Sequence, residues 1–120
     1  MTYYALLEAL ISLLNSKSEP EPSKINSVLG QICALFRIEK AEISFYQTPT
    51  HEKLNRGTTF IGYNSGVPCS VRMEDRMVTP TMMIGIYRVY QRADAAPWTD
   101  EEQDRVRRVA EMMLTFVVRH

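Results

Sequence analysis

Apolar residues recur at helical spacing over residues 2 to 15, where Leu6, Leu7, Leu10, Ile11 and Leu14 mark one stripe. Tyr3 and Leu13 widen that stripe beyond what one modest core contact needs. The run SKSEPEP, Ser16 to Pro22, carries two prolines and several small polar residues and reads as a loop. A second helix is predicted from Ser23, a plausible cap, to Phe36. Its apolar face is Ile25, Val28, Leu29, Ile32, Cys33 and Phe36.

The period then changes to two. In AEISFYQ, Ala41, Ile43 and Phe45 alternate with Glu42, Ser44 and Tyr46, as in a half-buried strand. A polar loop from Thr48 to Gly57 leads to a second strand, TTFIGYN. The turn Asn64 to Pro68 leads to a third, SVRMEDRMV. In that third strand Val71, Met73 and Met77 are expected on one face, and Arg72, Glu74 and Arg76 on the other. The fourth strand, MMIGIYRVY, is apolar on both faces except at Arg88, which predicts a central place in the sheet.

After the loop QRADAAP comes Trp98-Thr99-Asp100-Glu101-Glu102. Thr99 can accept from the backbone N–H three residues on, while Glu102 reaches back to the N–H of Thr99, a capping box. The helix it opens carries Val106, Val109, Ala110, Met113, Phe116 and Val117 on its inner stripe. No stop signal precedes His120, so the natural chain is expected to continue.

Composition narrows the functional classes. The chain has 120 residues, 45% hydrophobic and 23% charged, which fits one domain with a real core. With 14 basic and 14 acidic residues the net charge is zero, against a nucleic-acid partner that must be held by clustered cations. Cys33 and Cys69 have neither metal-ligand nor disulfide spacing, and the start of the chain lacks a signal-peptide pattern. A cytoplasmic setting without a membrane span is expected.

No catalytic constellation and no metal site are read from the residues. His51 lies in a polar loop beside Glu52 and Lys53, and His120 is terminal. Glu74 and Asp75 point to opposite faces of a strand and cannot act as a carboxylate pair. Asp75 falls in the register of Met73 and Met77, where a carboxylate needs a partner such as Arg88, or access to solvent at the sheet's end. Gly62 and Gly85 lie within strands, marking a bulge, close packing, or the floor of a small pocket.

The element order resembles a GAF domain. The resemblance rests on Ala-Pro-Trp-Thr-Asp-Glu-Glu opening a long apolar helix after a core strand. It rests also on Leu-x-x-Ile-Cys-x-Leu-Phe in the second helix and a first strand beginning near Ala41. It implies an α+β fold, with a mostly antiparallel sheet and the first and last helices packed on one face. It also implies a non-catalytic sensory domain, cut from a bacterial signalling protein such as a GGDEF diguanylate cyclase or a histidine kinase. A bilin-bearing GAF domain usually carries His next to its attachment Cys, whereas Ser70 follows Cys69 here. A PAS- or profilin-like sheet shares the element order and differs in strand order.

Tyr63, Asp75, Gly85 and Arg88 are the candidate ligand contacts, and the identity of any ligand or cofactor stays open. The surplus apolar surface of the first helix, with Met112 and Phe116 partly off the inner stripe of the last, predicts a homodimer through Leu6, Leu10, Leu13, Met112 and Phe116. The strands from Thr58 to Tyr90 are nearly contiguous, leaving little chain to roof a pocket. The alternative function is therefore a dimerisation module with a degenerate pocket.

Overall fold

A computed structural model describes residues 2–17, 20–45, 59–62, 67–78 and 83–119. Three helices and four strands follow in the order α1 (Tyr3–Leu14), α2 (Pro22–Phe36), β1 (Lys40–Phe45), β2 (Thr59–Ile61), β3 (Ser70–Val78), β4 (Met83–Gln91) and α3 (Asp100–Arg119). The strands form one antiparallel sheet in the order β2-β1-β4-β3. The fold is α+β, and β4 occupies the inner position that its two apolar faces predict.

The helices sit as their stripes dictate, with one departure. α2 packs on β1 and β2, and α3 packs on β4 and β3. α1 does not share the sheet with α3 as expected; it rests on α2 and α3. A helix lying on two others needs apolar residues around a wide arc, which accounts for the breadth of its stripe. Leu6, Leu10 and Leu13 are 0%, 1% and 5% exposed, all within the core.

Local chemistry sets the helix ends. Thr2 caps α1 by accepting from the Ala5 N–H at 3.1 Å. α2 starts one residue before the expected cap: Glu21 holds the N-cap position and Pro22 fills the first turn, where its missing N–H costs nothing. α2 stops at Arg37, whose φ of 55° is left-handed, a strained state for a residue with a Cβ. Several contacts hold it there. Trp98 Nε1 donates to the Phe36 carbonyl at 2.9 Å, Gln91 Nε2 donates to the Arg37 carbonyl at 3.2 Å, and the Arg37 guanidinium grips both carboxylate oxygens of Glu102 at 2.7 and 3.2 Å. The end of α2 is thereby fastened to the start of α3. The capping box is present: Thr99 Oγ1 accepts from the Glu102 N–H, and Glu102 Oε1 from the Thr99 N–H, each at 3.1 Å.

Register places side chains that alternation alone misplaces. Between Val71 and Met73 the pairing with β4 shifts, because Val71 opposes Tyr90 while Met73 opposes Val89. Val71 therefore leaves the face of Met73 and is 48% exposed, whereas Arg72 and Met73 both border α3. Gly62 marks a close approach. A Cβ there would lie 2.6 Å from the backbone carbon of Leu29, and α2 has no slack to give.

Candidate functional site

Two polar places arise from the sheet, one on each face. The first is a charge row across the face turned away from the helices. Glu42 of β1 and Glu74 of β3 both stand opposite Arg88 of β4. Arg88 Nε donates to Glu74 Oε1 at 2.5 Å and its Nη1 to Glu42 Oε1 at 3.4 Å. Tyr90 Oη donates to the same Glu42 oxygen at 2.5 Å, Arg76 Nε donates to Glu74 Oε2 at 3.0 Å, and Lys40 Nζ sits 4.2 Å from the centre of the Tyr90 ring. Directly opposed opposite charges in neighbouring strands are the sheet counterpart of helical ion pairs. The row is closed on itself, with each carboxylate answered by a cation.

The protonation states follow from these contacts. Arg88 first, and then Arg76, hold the Glu74 carboxyl below its ordinary value of 4.5. Arg37 first, and then the Thr99 backbone, do the same for Glu102. Burial, followed by the bond to Glu42, pushes the Tyr90 hydroxyl up to about 12. A carboxyl depressed in the folded state stabilises fully above its unfolded pKa, and that contribution is lost as the pH falls through the folded value. Stability is therefore expected to decline below about pH 4.5. Acid titration of Glu102→Gln, followed by circular dichroism, should show a shallower decline than the wild type.

The second place is a cleft of about 510 Å³ between β3 and α3. Asp75 lines it from the sheet, with Arg72 on the same strand and Gln103 and Arg107 on α3. Met73, Val106 and Leu114 give it apolar walls, and Trp98 borders it with the Arg72 guanidinium 5.9 Å from its ring centre. Asp75 is half-buried and makes no hydrogen bond or ion pair among the described residues.

Next to it lies a second unanswered group. Tyr87, opposite Asp75 in register, is fully buried, and its hydroxyl has no hydrogen-bond partner among the described residues. Burial first, then the nearby Cys33 and Asp75, raise its pKa far beyond the ordinary tyrosine value. An unpaired buried hydroxyl costs free energy that its removal recovers. Tyr87→Phe should accordingly leave stability unchanged or raise it by up to about 1 kcal/mol. A urea melt would show it.

Of the four predicted ligand contacts, the three that lie among the described residues are not brought together. Arg88 stands in the charge row, whereas Asp75 and Gly85 face the helices, so Arg88 is not the partner of Asp75. Gly85 is packing: a Cβ there would meet Val117 Cγ1 at 2.6 Å. Tyr63 lies outside the described residues, as do His51, the turn at Asn64–Gly66, Met82 and His120. The sequence reasoning missed Glu42, Tyr90 and Tyr87. Strand order, which sets Glu42 beside Arg88 and Tyr87 beside Asp75, is not written in local pattern.

Of the predicted dimer contacts, Leu6, Leu10, Leu13 and Phe116 are spent in the chain's own core and are not offered to a partner. Phe116 is 1% exposed, and Met112 is partly buried against the same cluster. Cys33 is buried and Cys69 half-exposed, and neither is in a disulfide among the described residues. Among the described residues no three His, Cys, Asp or Glu side chains are grouped to hold a metal ion, and no helix is long and apolar enough to cross a membrane. No family model, curated protein or solved structure matches the chain.

Proposed function

We propose that the chain is a non-catalytic regulatory domain of the GAF-like type, acting in the cytoplasm as part of a longer signalling protein. In this reading a small molecule or partner changes how α3 packs, and the terminal helices carry the change to an output domain such as a diguanylate cyclase or histidine kinase. The observation that carries it is the position of α3. It forms one wall of the cleft with β3, and it also packs against α1. An occupant that moves the cleft wall therefore acts on the α1–α3 contact without an intermediary. The start of α3, fastened to Arg37, gives the motion a fixed end.

A metabolite library, screened by thermal melting, tests this reading. A ligand of the folded state raises stability by mass action, about 2.7 kcal/mol at a hundredfold excess over Kd. A molecule that does so must also change amide exchange in α1 and α3. Stabilisation with unchanged exchange in both helices would refute transmission through them.

The second reading, a dimerisation module, has its own support. Tyr4 and Ile11, seven residues apart on α1, are 71% and 49% exposed. The interface then uses this outer side of α1 instead of Leu6, Leu10 and Leu13. Light scattering over a dilution series should show a dimer that Ile11→Asp dissociates. A monomer at every concentration sinks this reading.

A further inference from the structure

We propose that the cleft between β3 and α3 is a binding site for a free amino acid with a large apolar side chain, held as a zwitterion. The inference rests on the sensory reading above and names the ligand class that reading leaves open.

The lining carries two charges of each sign, Asp75 and Glu111 against Arg72 and Arg107. A site with no net charge gains nothing from a simple anion or cation that it does not gain from a molecule bearing both. Asp75 and Arg107 make no hydrogen bond or ion pair among the described residues, unlike Glu42, Glu74 and Arg88 on the other face. A half-buried carboxylate without a donor is costly, and a ligand ammonium supplies three. The guanidinium groups of Arg72 and Arg107 suit a ligand carboxylate, which they can hold through paired N–H donors.

The rest of the cleft fits a side chain. Met73, Val106 and Leu114 offer apolar contact, and the Trp98 indole adds an aromatic surface whose N–H is already bonded to Phe36. A volume of about 510 Å³ lies within the usual range of small-molecule sites and exceeds what glycine or alanine would fill. On the sheet wall Asp75, half-buried and without a donor among the described residues, is the group that a ligand ammonium would satisfy. Only one wall of the site is α3, so occupancy is coupled to that helix.

The test is an amide-resolved NMR titration of the intact chain. The probes are L-leucine, L-methionine, L-phenylalanine and L-tryptophan, with phenethylamine and 3-phenylpropanoate as singly charged controls. Saturable shifts are expected at residues 72–75 and 103–114 for at least one amino acid. Both controls should bind about tenfold or more weakly than phenylalanine if phenylalanine binds. Asp75→Asn should weaken the amino acid and leave 3-phenylpropanoate unchanged, and Arg107→Gln should weaken the amino acid and leave phenethylamine unchanged. The proposal is overturned if no amino acid shifts those amides up to about 10 mM. It is overturned equally if the controls match the zwitterion, which needs no variant to fold.

The two readings fail separately. Amino-acid binding with unaltered exchange in α1 and α3 would uphold the ligand and refute the signalling mechanism. A different class of molecule that binds the cleft and alters α3 would do the reverse.

Discussion

Leu10→Asp is expected to destabilise the protein by about 4 kcal/mol or more, a large share of the about 5–15 kcal/mol that holds a domain folded. Leu10 is 1% exposed in the cluster that α1 shares with α2 and α3. A carboxylate there loses its water and gains no cation, since the neighbours in that cluster are apolar. The buried acid responds by raising its pKa, so the variant should recover part of its stability as the pH falls, opposite to the wild-type trend set by Glu74 and Glu102. Urea melts at neutral and mildly acidic pH would measure both effects. If Leu10 instead faced a partner, the variant would be a monomer with wild-type melting. That result would remove α1 from the core.

The same residue shows what the sequence could and could not disclose. A wide apolar stripe on α1 has two physical causes, a helix facing a partner chain or one lying on two neighbours, and periodicity cannot separate them. Exposure does: Tyr4 and Ile11 stay in solvent while Leu6, Leu10 and Leu13 are enclosed. Where the determinants are local, the sequence discloses the structure. The Thr99–Glu102 box opens α3, and the double-sided apolarity of β4 places it inside the sheet.

Where a determinant is a pairing across the sheet, local pattern was silent. Strict alternation put Val71 with Met73, and a single shift of register beside Arg72 separates them. The ion pairs of Arg88 exist because β1 and β3 flank β4, an order decided by the whole chain. Asp75 was legible as a carboxylate on a core-side register. That α3 would form the opposite wall and leave a cleft there depended on packing between elements far apart in sequence.

Phe116→Ala, the other substitution with a large expected effect, should lower stability by about 3–5 kcal/mol. Phe116 is 1% exposed, and its ring meets Phe45 edge-on with centroids 5.8 Å apart; Phe45 in turn meets Phe60 at 5.9 Å and 90°. These three rings join α3 to β1 and β2, so truncation at Phe116 opens a cavity where helix and sheet are held together. The cost has two parts: lost burial with the cavity left behind, and lost edge-to-face geometry worth about 0.5–1.5 kcal/mol per pair. A double-mutant cycle with Phe45→Leu isolates the second part, which should be a coupling of that size. Phe116→Leu keeps most of the volume and should cost much less than the alanine variant. The melts should not depend on protein concentration, because every contact in the triad is within one chain. A loss that grew on dilution would mean that Phe116 reaches a second copy. The placement of α3 on the sheet would then be the part of the fold to discard.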